Sequence, residues 1–425
     1  MTANITLHGK RILITHVFIQ RLMGSTVLTL ELADYLQQQG ADVTIFCSEY
    51  AEPVRSLFEG RKITVIADEN YNFHLNDYDY IWVNSQVLPL SIIKELSQIT
   101  EISSPIFIFN HMSAIDKIAD EFPYIYMLEE HLASLVISIA PEVEQKILPY
   151  FNEPPKHALF PNPAPSAFSQ LPSKRSTGTL QRILIVSNHA PEEVIAASFI
   201  LQSKGITVTH FGEGGGQCTL VTPEKLAEYD AVITIGKTVQ YCLTAGIPVY
   251  VYDHFGGFGY LNDSTFDLAA ANNFSGRGGE KKSANQIAQD IINNFDEALV
   301  YSTQNRNKFI DQYSIDNIFP SLLDKAQEKK IFQLPSSYTL SVMSAERFAY
   351  RFYRTWSWAN YLEDERYRLS TRQEELITQL NETKTQEHEI HEKLEAIQNS
   401  HAYKIGKLLM KPLHDLKMFM QAHRN

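Results

Sequence analysis

Short runs of β-branched and aromatic residues alternate with helical patterns through the first two-thirds of the chain. Arg11–Thr15 (RILIT) reads as a strand. After it Leu28, Leu32 and Leu36 recur at the four-residue spacing of one helix face, and Gly40 closes that helix before the next strand at 42–47 (DVTIFC). Further strands are predicted at 62–66, 80–84, 105–109 and 135–139. Their nearly continuous apolar character points to a parallel sheet covered by helices on both faces. Phe151–Thr179 breaks the rhythm, being dense in Pro and Ser without a period, and reads as a linker. The pattern then restarts at 182–186, 206–211, 231–235 and 248–252, and the Arg-Ile-Leu-Ile of 11–14 returns at 182–185. The economical fold class is α/β, with two Rossmann-like doubly wound domains in succession followed by a long helix.

The last part differs in kind. From Ser344 no strand signal, Pro or Gly occurs for about sixty residues, the mark of a long uncapped helix. Leu362, Leu369, Leu376, Ile390 and Ile397 share one seven-residue register, interrupted at Thr383. Leu380 and Leu394 lie four positions on in their heptads, where Arg366, Gln373 and Glu387 stand elsewhere. A coiled coil, and so a homo-oligomer through 360–400, is expected, against the alternative of a surface helix packed on its own domain. In 401–425, five basic residues (Lys404, Lys407, Lys411, Lys417, Arg424) face Asp415 alone and interleave with Leu408, Leu409, Leu413, Leu416, Met418, Phe419 and Met420. Such a segment suits an anionic membrane surface; the alternative is a helix that closes the oligomer. The expected divisions are 1–150 and 181–300 for the two α/β domains, 151–180 for the linker, 301–343 for a helical return segment, 344–400 for the long helix and 401–425 for the tail.

Composition narrows the function. With 425 residues, 44% hydrophobic, the chain is long enough for two or three domains with their own cores. Thirty-seven Lys and Arg against 49 Asp and Glu give a net charge of −12, which argues against nucleic acid as a partner. No stretch approaches the length of apolar sequence a spanning helix needs. Three cysteines without a CxxC or a Cys/His cluster predict neither structural zinc nor a disulfide framework, and fit a reducing cytoplasm.

In doubly wound sheets ligands bind beyond the carboxyl ends of the strands, so the loops there hold the candidate chemistry. In the first half these are His16, directly after the first strand, Gly24 and Ser25 at the start of a helix, and His111 after the strand at 105–109. Ser25 as a plain helix cap and His111 as a structural imidazole are the bland alternatives. In the second half Asn188 and His189 tip one loop, and FGEGGGQ (211–217) is a glycine-rich loop without the dinucleotide-binding spacing. Gly236-Lys237-Thr238 ends a strand and opens a helix but lacks the upstream glycine of a P-loop. Asp253, His254, Gly256 and Gly257 follow the next strand, and Arg277 closes the region. Lys237, His254 and Arg277 together are suited to neutralising a diphosphate leaving group, with the glycines allowing close backbone approach. Asp77-Tyr78-Asp79 spells DxD ahead of a strand, a poor setting for a metal, and no metal site is expected.

These residues carry a resemblance. Gly24-Ser25 followed by LELADYLQQQGADVTIF, and the unit AVITIGKTVQYCLTAGIPVYVYD with its Gly-x-Pro at 246–248, resemble GT-B glycosyltransferases over about residues 10–300. The C-terminal additions resemble those of bacterial surface-polysaccharide transferases. The resemblance implies an acceptor-side domain first and a nucleotide-sugar domain second. It implies a hexosyltransferase-type activity from a UDP- or GDP-sugar to a glycan, lipid-linked or protein acceptor, with no further cofactor, at the inner face of the cell membrane. Asn188, His189, Gly236, Lys237, Thr238, Asp253, His254, Gly256, Gly257 and Arg277 would hold the donor, and His111 or His16 would be the catalytic group. Where many members carry a ribose-binding Glu, this chain has Tyr241, and the second Glu of retaining members is replaced by Ile233. The alternative is a non-catalytic GT-B-like partner that binds glycan or nucleotide and scaffolds an active transferase. A polyol-phosphate transferase or sugar-nucleotide epimerase on the same fold is the third reading.

Overall fold

A computed structural model describes residues 6–84, 88–98, 105–115, 118, 121–123, 126–172, 178–327 and 336–422. The chain forms two compact units, 1–354 and 355–425. In the first unit β1 (Arg11–Ile19), β2 (Asp42–Tyr50), β3 (Thr64–Ile66), β4 (Tyr80–Asn84), β5 (Ile106–His111), β6 (Ala133–Ser138) and β7 (His157–Leu159) form one sheet, in the order β3-β2-β1-β4-β5-β6-β7. Each described pairing in it is parallel. The second sheet orders β12 (Gly256–Tyr260), β11 (Val249–Asp253), β10 (Ala231–Thr234), β8 (Arg182–Val186) and β9 (Thr207–Phe211), with only β12 antiparallel. The strands are buried on both faces, Leu13 and Val83 in one core and Ile14 and Trp82 in the other. That two-sided burial is why their sequences run apolar without alternation.

The Pro-rich stretch read as a linker contributes structure of its own. It supplies β7 on the edge of the first sheet and a short helix at Ser166–Ser169. β7 and β12 escape pattern reading because one is three residues long and the other is GGFGY, without a β-branched residue. The chain crosses between the domains twice, and the crossings are hydrogen-bonded together: Ala164 N–H donates to Tyr313 (2.7 Å) and Ile315 N–H to Ala164 (3.0 Å). The helix Ile315–Lys325 then packs on the first domain, with Phe319 5.3 Å from Tyr35 and 6.0 Å from Trp82, ring centre to ring centre.

A 64-residue helix, Ser336–Asn399, starts in the first unit, where Val342 is buried in the core. The second unit holds the rest of it and the helix His401–Ala422. No helix among the described residues is long and apolar enough to cross a membrane.

Candidate functional site

Both sheets reverse direction of growth at one point, and loops diverging there leave a crevice. In the first sheet the switch lies between β1 and β4, in the second between β8 and β10. The two switch points face each other: Asn188, just after β8, donates from Nδ2 to the Leu22 carbonyl after β1 (3.1 Å). A helix begins beside each. Gly24–Gln38 starts after Met23, and Lys237–Ala245 starts after Gly236, and neither has a side-chain cap. Ser25 therefore lies inside its helix, not at the cap. The free amides of both first turns are available to an anion or a hydroxyl.

The charges fall differently from the sequence expectation. Lys237 is buried. It pairs with Glu31 on the first domain's helix (2.7 Å) and donates to the Pro163 carbonyl (2.8 Å). Tyr241, one turn on, donates its hydroxyl to the other Glu31 oxygen and stacks on Phe168 at 4.2 Å. Burial raises the Glu31 carboxyl and lowers the Lys237 ammonium, each partly offset by the other's charge, and burial with the Glu31 carboxylate pushes the Tyr241 phenol up. A glutamate at 241 would set a second carboxylate against Glu31, which gives the tyrosine a packing reason. Lys237 and Tyr241 thus join the domains and are not placed on a donor phosphate.

Arg277 makes a second bridge, its guanidinium held bidentately by Glu142 at the start of the helix Pro141–Ile147 (Nε to Oε1, 2.9 Å). Asn162 and Asn273 add a further contact (2.9 Å). Asp253 is structural, accepting from the amides of Phe255 (2.7 Å) and Gly276 (2.9 Å). Gly256 and Gly257 lie in β12, and their closeness is to the protein itself. A Cβ on Gly257 would sit 2.2 Å from the Val251 carbonyl, and one on Gly256 2.7 Å from the Glu280 backbone. Gly212 in the glycine-rich loop likewise abuts the Ser187 carbonyl, 2.0 Å from where its Cβ would be. His189 and His254 are exposed and Thr238 is half-buried, so these remain open to a ligand.

Neither histidine proposed as catalytic is set up as a base. His111 is 1% exposed, with Nε2 against Glu129 (2.8 Å) and Nδ1 against the Glu121 carbonyl (2.8 Å). Both neighbours are acceptors, so the ring holds two protons. Burial alone would lower its pKa, but Glu129 and the Glu121 carbonyl outweigh it and raise it. His111 is a buried ion-pair partner.

His16 lies on β1 just past Thr15, its last residue paired to β4, and is buried. Its Nδ1 accepts the Phe18 amide (3.2 Å), which leaves the proton on Nε2, and Nε2 has no hydrogen-bond partner of good geometry. Burial lowers its pKa to about 4, opposed in part by the Ser25 backbone. Because the folded state refuses a proton that the unfolded chain takes up near pH 6.5, stability falls as pH drops from about 6.5 towards 4, by about 3 kcal/mol at most. His16→Asn, which keeps an acceptor for Phe18, is expected to be less sensitive to acid by up to that amount in urea unfolding at pH 7 and pH 4.5. An unchanged pH dependence would contradict this account.

Sequence reasoning missed Glu31 and Glu142, the partners that engage the two cations. Glu31 gave one signal, an acidic residue inside the apolar stretch LELADYL. It also missed Asn84, whose side chain accepts from Trp82 Nε1 (2.9 Å) and Asn110 Nδ2 (2.8 Å) at the end of β4. A mainly apolar crevice of about 340 Å³ runs between the domains, lined by Ile139, Leu159, Phe266, Asn273 and Tyr313; no predicted donor residue lines it.

No protein-family model matches the chain, and no curated protein sequence matches it significantly. Solved structures are similar at low identity. A glycosyltransferase from Rickettsia africae is 12% identical over 75% of this chain and 98% of its own, with a TM-score of 0.49. The spinosyn forosaminyltransferase SpnP is 14% identical over 75% and 100%, with a TM-score of 0.44. Anabaena Alr3699/HepE in complex with UDP is 12% identical over 74% and 98%, with a TM-score of 0.45. At these scores and identities they bear on neither substrate nor activity. The chain's own topology, two Rossmann-like domains with facing switch points and a C-terminal helix returning to the first, is the GT-B fold.

Proposed function

We propose that this chain is a glycosyltransferase that moves a sugar from a nucleotide-diphosphate donor to a glycan, lipid-linked or protein acceptor in bacterial cell-surface glycan assembly. The facing of the two switch points, each with an uncapped helix N-terminus, carries this reading. In the transfer an acceptor hydroxyl oxygen bonds to the sugar's anomeric carbon, the bond from that carbon to the diphosphate breaks, and the hydroxyl proton is released. The diphosphate gains charge and needs donors around it. The amides of Lys237 and Thr238, with Asn188, His189 and His254, would supply them. Arg277 joins them when a phosphate replaces Glu142 on its guanidinium fork, since carboxylate and phosphate fit the same two N–H groups. The Gly24–Ser25 turn lies on the acceptor side.

The exposed C-terminal helices carry the rest of the proposal: self-association through 360–400 and peripheral contact with an anionic membrane through 401–425.

Titration calorimetry with UDP, GDP, CDP and their sugar conjugates is expected to show saturable binding of one of them. Glu142→Gln, which frees the guanidinium, tightens it, and Arg277→Gln weakens it by about tenfold or more. Folded protein that binds none of these nucleotides favours the second reading, a non-catalytic scaffold. The engagement of Lys237 and Arg277 by carboxylates of the first domain, and Tyr241 in the ribose position, are the observations on its side.

A further inference from the structure

The helix through 355–399 keeps its apolar residues in water. Leu362, Leu369, Leu376, Leu380, Ile390, Leu394 and Ile397 are each 48–64% exposed, all on one heptad seam. Twelve positions make up that seam between Ala359 and Ile397, and four of them are polar: Arg366, Gln373, Thr383 and Glu387. What covers the seam must accommodate those four. Among the described residues Arg366 has a loose local partner, Glu363 at 3.7 Å, with both side chains exposed.

A parallel pair of such helices stacks identical residues in each layer. It would set Arg366 on Arg366 and Glu387 on Glu387, two like-charge contacts in a partly dry core. Its flanking positions bring Glu365 near Ser370, Arg372 near Ile377 and Lys393 near Gln398, with no opposite charges together.

Turned end for end, the same twelve positions pair with themselves. Ala359 meets Ile397, Leu362 meets Leu394 and Leu376 meets Leu380 of the second copy. Gln373 meets Thr383, so two polar positions share a layer. Arg366 lies opposite Ile390 and Glu387 opposite Leu369, in adjacent layers about 5 Å apart along the axis, a distance the arginine side chain spans to reach the glutamate. On the flanks Glu365 comes beside Lys393 of the second copy, and Ile377, also exposed, meets its own equivalent at the two-fold axis. Each polar position finds a complement, and the repulsion of the parallel register is removed.

We infer that residues 359–397 bind a second copy of this chain as an antiparallel two-stranded coiled coil centred on residue 378. The inference rests on the self-association proposed above and adds orientation, register and number.

The test uses the full chain with Cys218→Ser, since Cys218 is the exposed cysteine among the three, and Glu392→Cys carrying a nitroxide label. Light scattering on the labelled protein gives the mass and pulsed dipolar spectroscopy the distance between labels. Two chains with labels about 40 Å apart are expected, from fourteen residues on either side of the axis at 1.5 Å each. A dimer with labels about 20 Å apart, near the width of two helices, overturns the antiparallel assignment and leaves self-association standing. A monomer overturns both. A mass above two chains overturns the two-stranded pairing.

Discussion

Glu31→Ala lowers the stability of the first unit by about 3–5 kcal/mol, because it leaves the Lys237 ammonium buried without its counter-charge. The loss exceeds that of a surface pair, worth about 1 kcal/mol or less, since the Lys237 side chain is 6% exposed and that of Glu31 16%. Removing both charges has a different outcome. Glu31→Leu with Lys237→Met replaces the pair by apolar groups of similar size and is expected to lie within about 1 kcal/mol of the parent, or above it. The Tyr241 hydroxyl then loses its acceptor, which sets a limit on the recovery. Chemical denaturation followed by tryptophan fluorescence measures all three proteins. A Glu31→Ala protein within 1 kcal/mol of the parent would show that the pair is solvated and the two domains are not closed on it.

Deleting 401–425 is expected to abolish co-sedimentation with vesicles rich in anionic lipid at low salt. On the helix His401–Ala422, residues Ile405, Leu408, Leu409, Leu413, Leu416, Phe419 and Met420 fall on one side at helical spacing, and all are 57–73% exposed. Lys404 and Lys411 flank that stripe on one side and Lys417 on the other. An apolar face with lysines beside it lies in the plane of a headgroup layer, and each lysine contributes about 1 kcal/mol of attraction to an anionic surface. Changing the three lysines to glutamine should weaken binding by about a hundredfold, and added salt should do the same to the parent protein. Equal sedimentation without the segment would place the membrane contact elsewhere on the surface.

Much of the fold was readable because its signals are local. A parallel strand buried on both faces needs a run of apolar residues, a helix needs a four-residue recurrence, and both appear in a few consecutive positions. The restart of the pattern at 182–186 exposed the second domain by itself. The short edge strand β7 and the glycine-rich β12 were not readable, since their pairing depends on neighbours and leaves little mark in composition.

The site was readable in outline only. The loop after β8 meets the loop after β1, through Asn188 and the Leu22 carbonyl. The roles of individual residues did not follow. His111 looked like a loop histidine open to substrate, but Glu129 and the Glu121 carbonyl take both its nitrogens. Gly256 and Gly257 looked like room for a phosphate, but the room is filled by the backbones at Val251 and Glu280.

Sequence alone determined the α/β class, the repetition of the doubly wound domain, the long helix and the basic apolar tail. Each is written in the spacing of neighbouring residues, which packing obeys. Only the tertiary structure decided what the cations do. Arg277 and Glu142 are 135 residues apart in the chain, and Tyr241 and Glu31 are 210 apart. A positive side chain beyond a strand end can serve a bound phosphate or a carboxylate of the facing domain. The choice depends on which group the fold carries to within about 3 Å, because charge pairing is steep in distance and strongest where water is excluded.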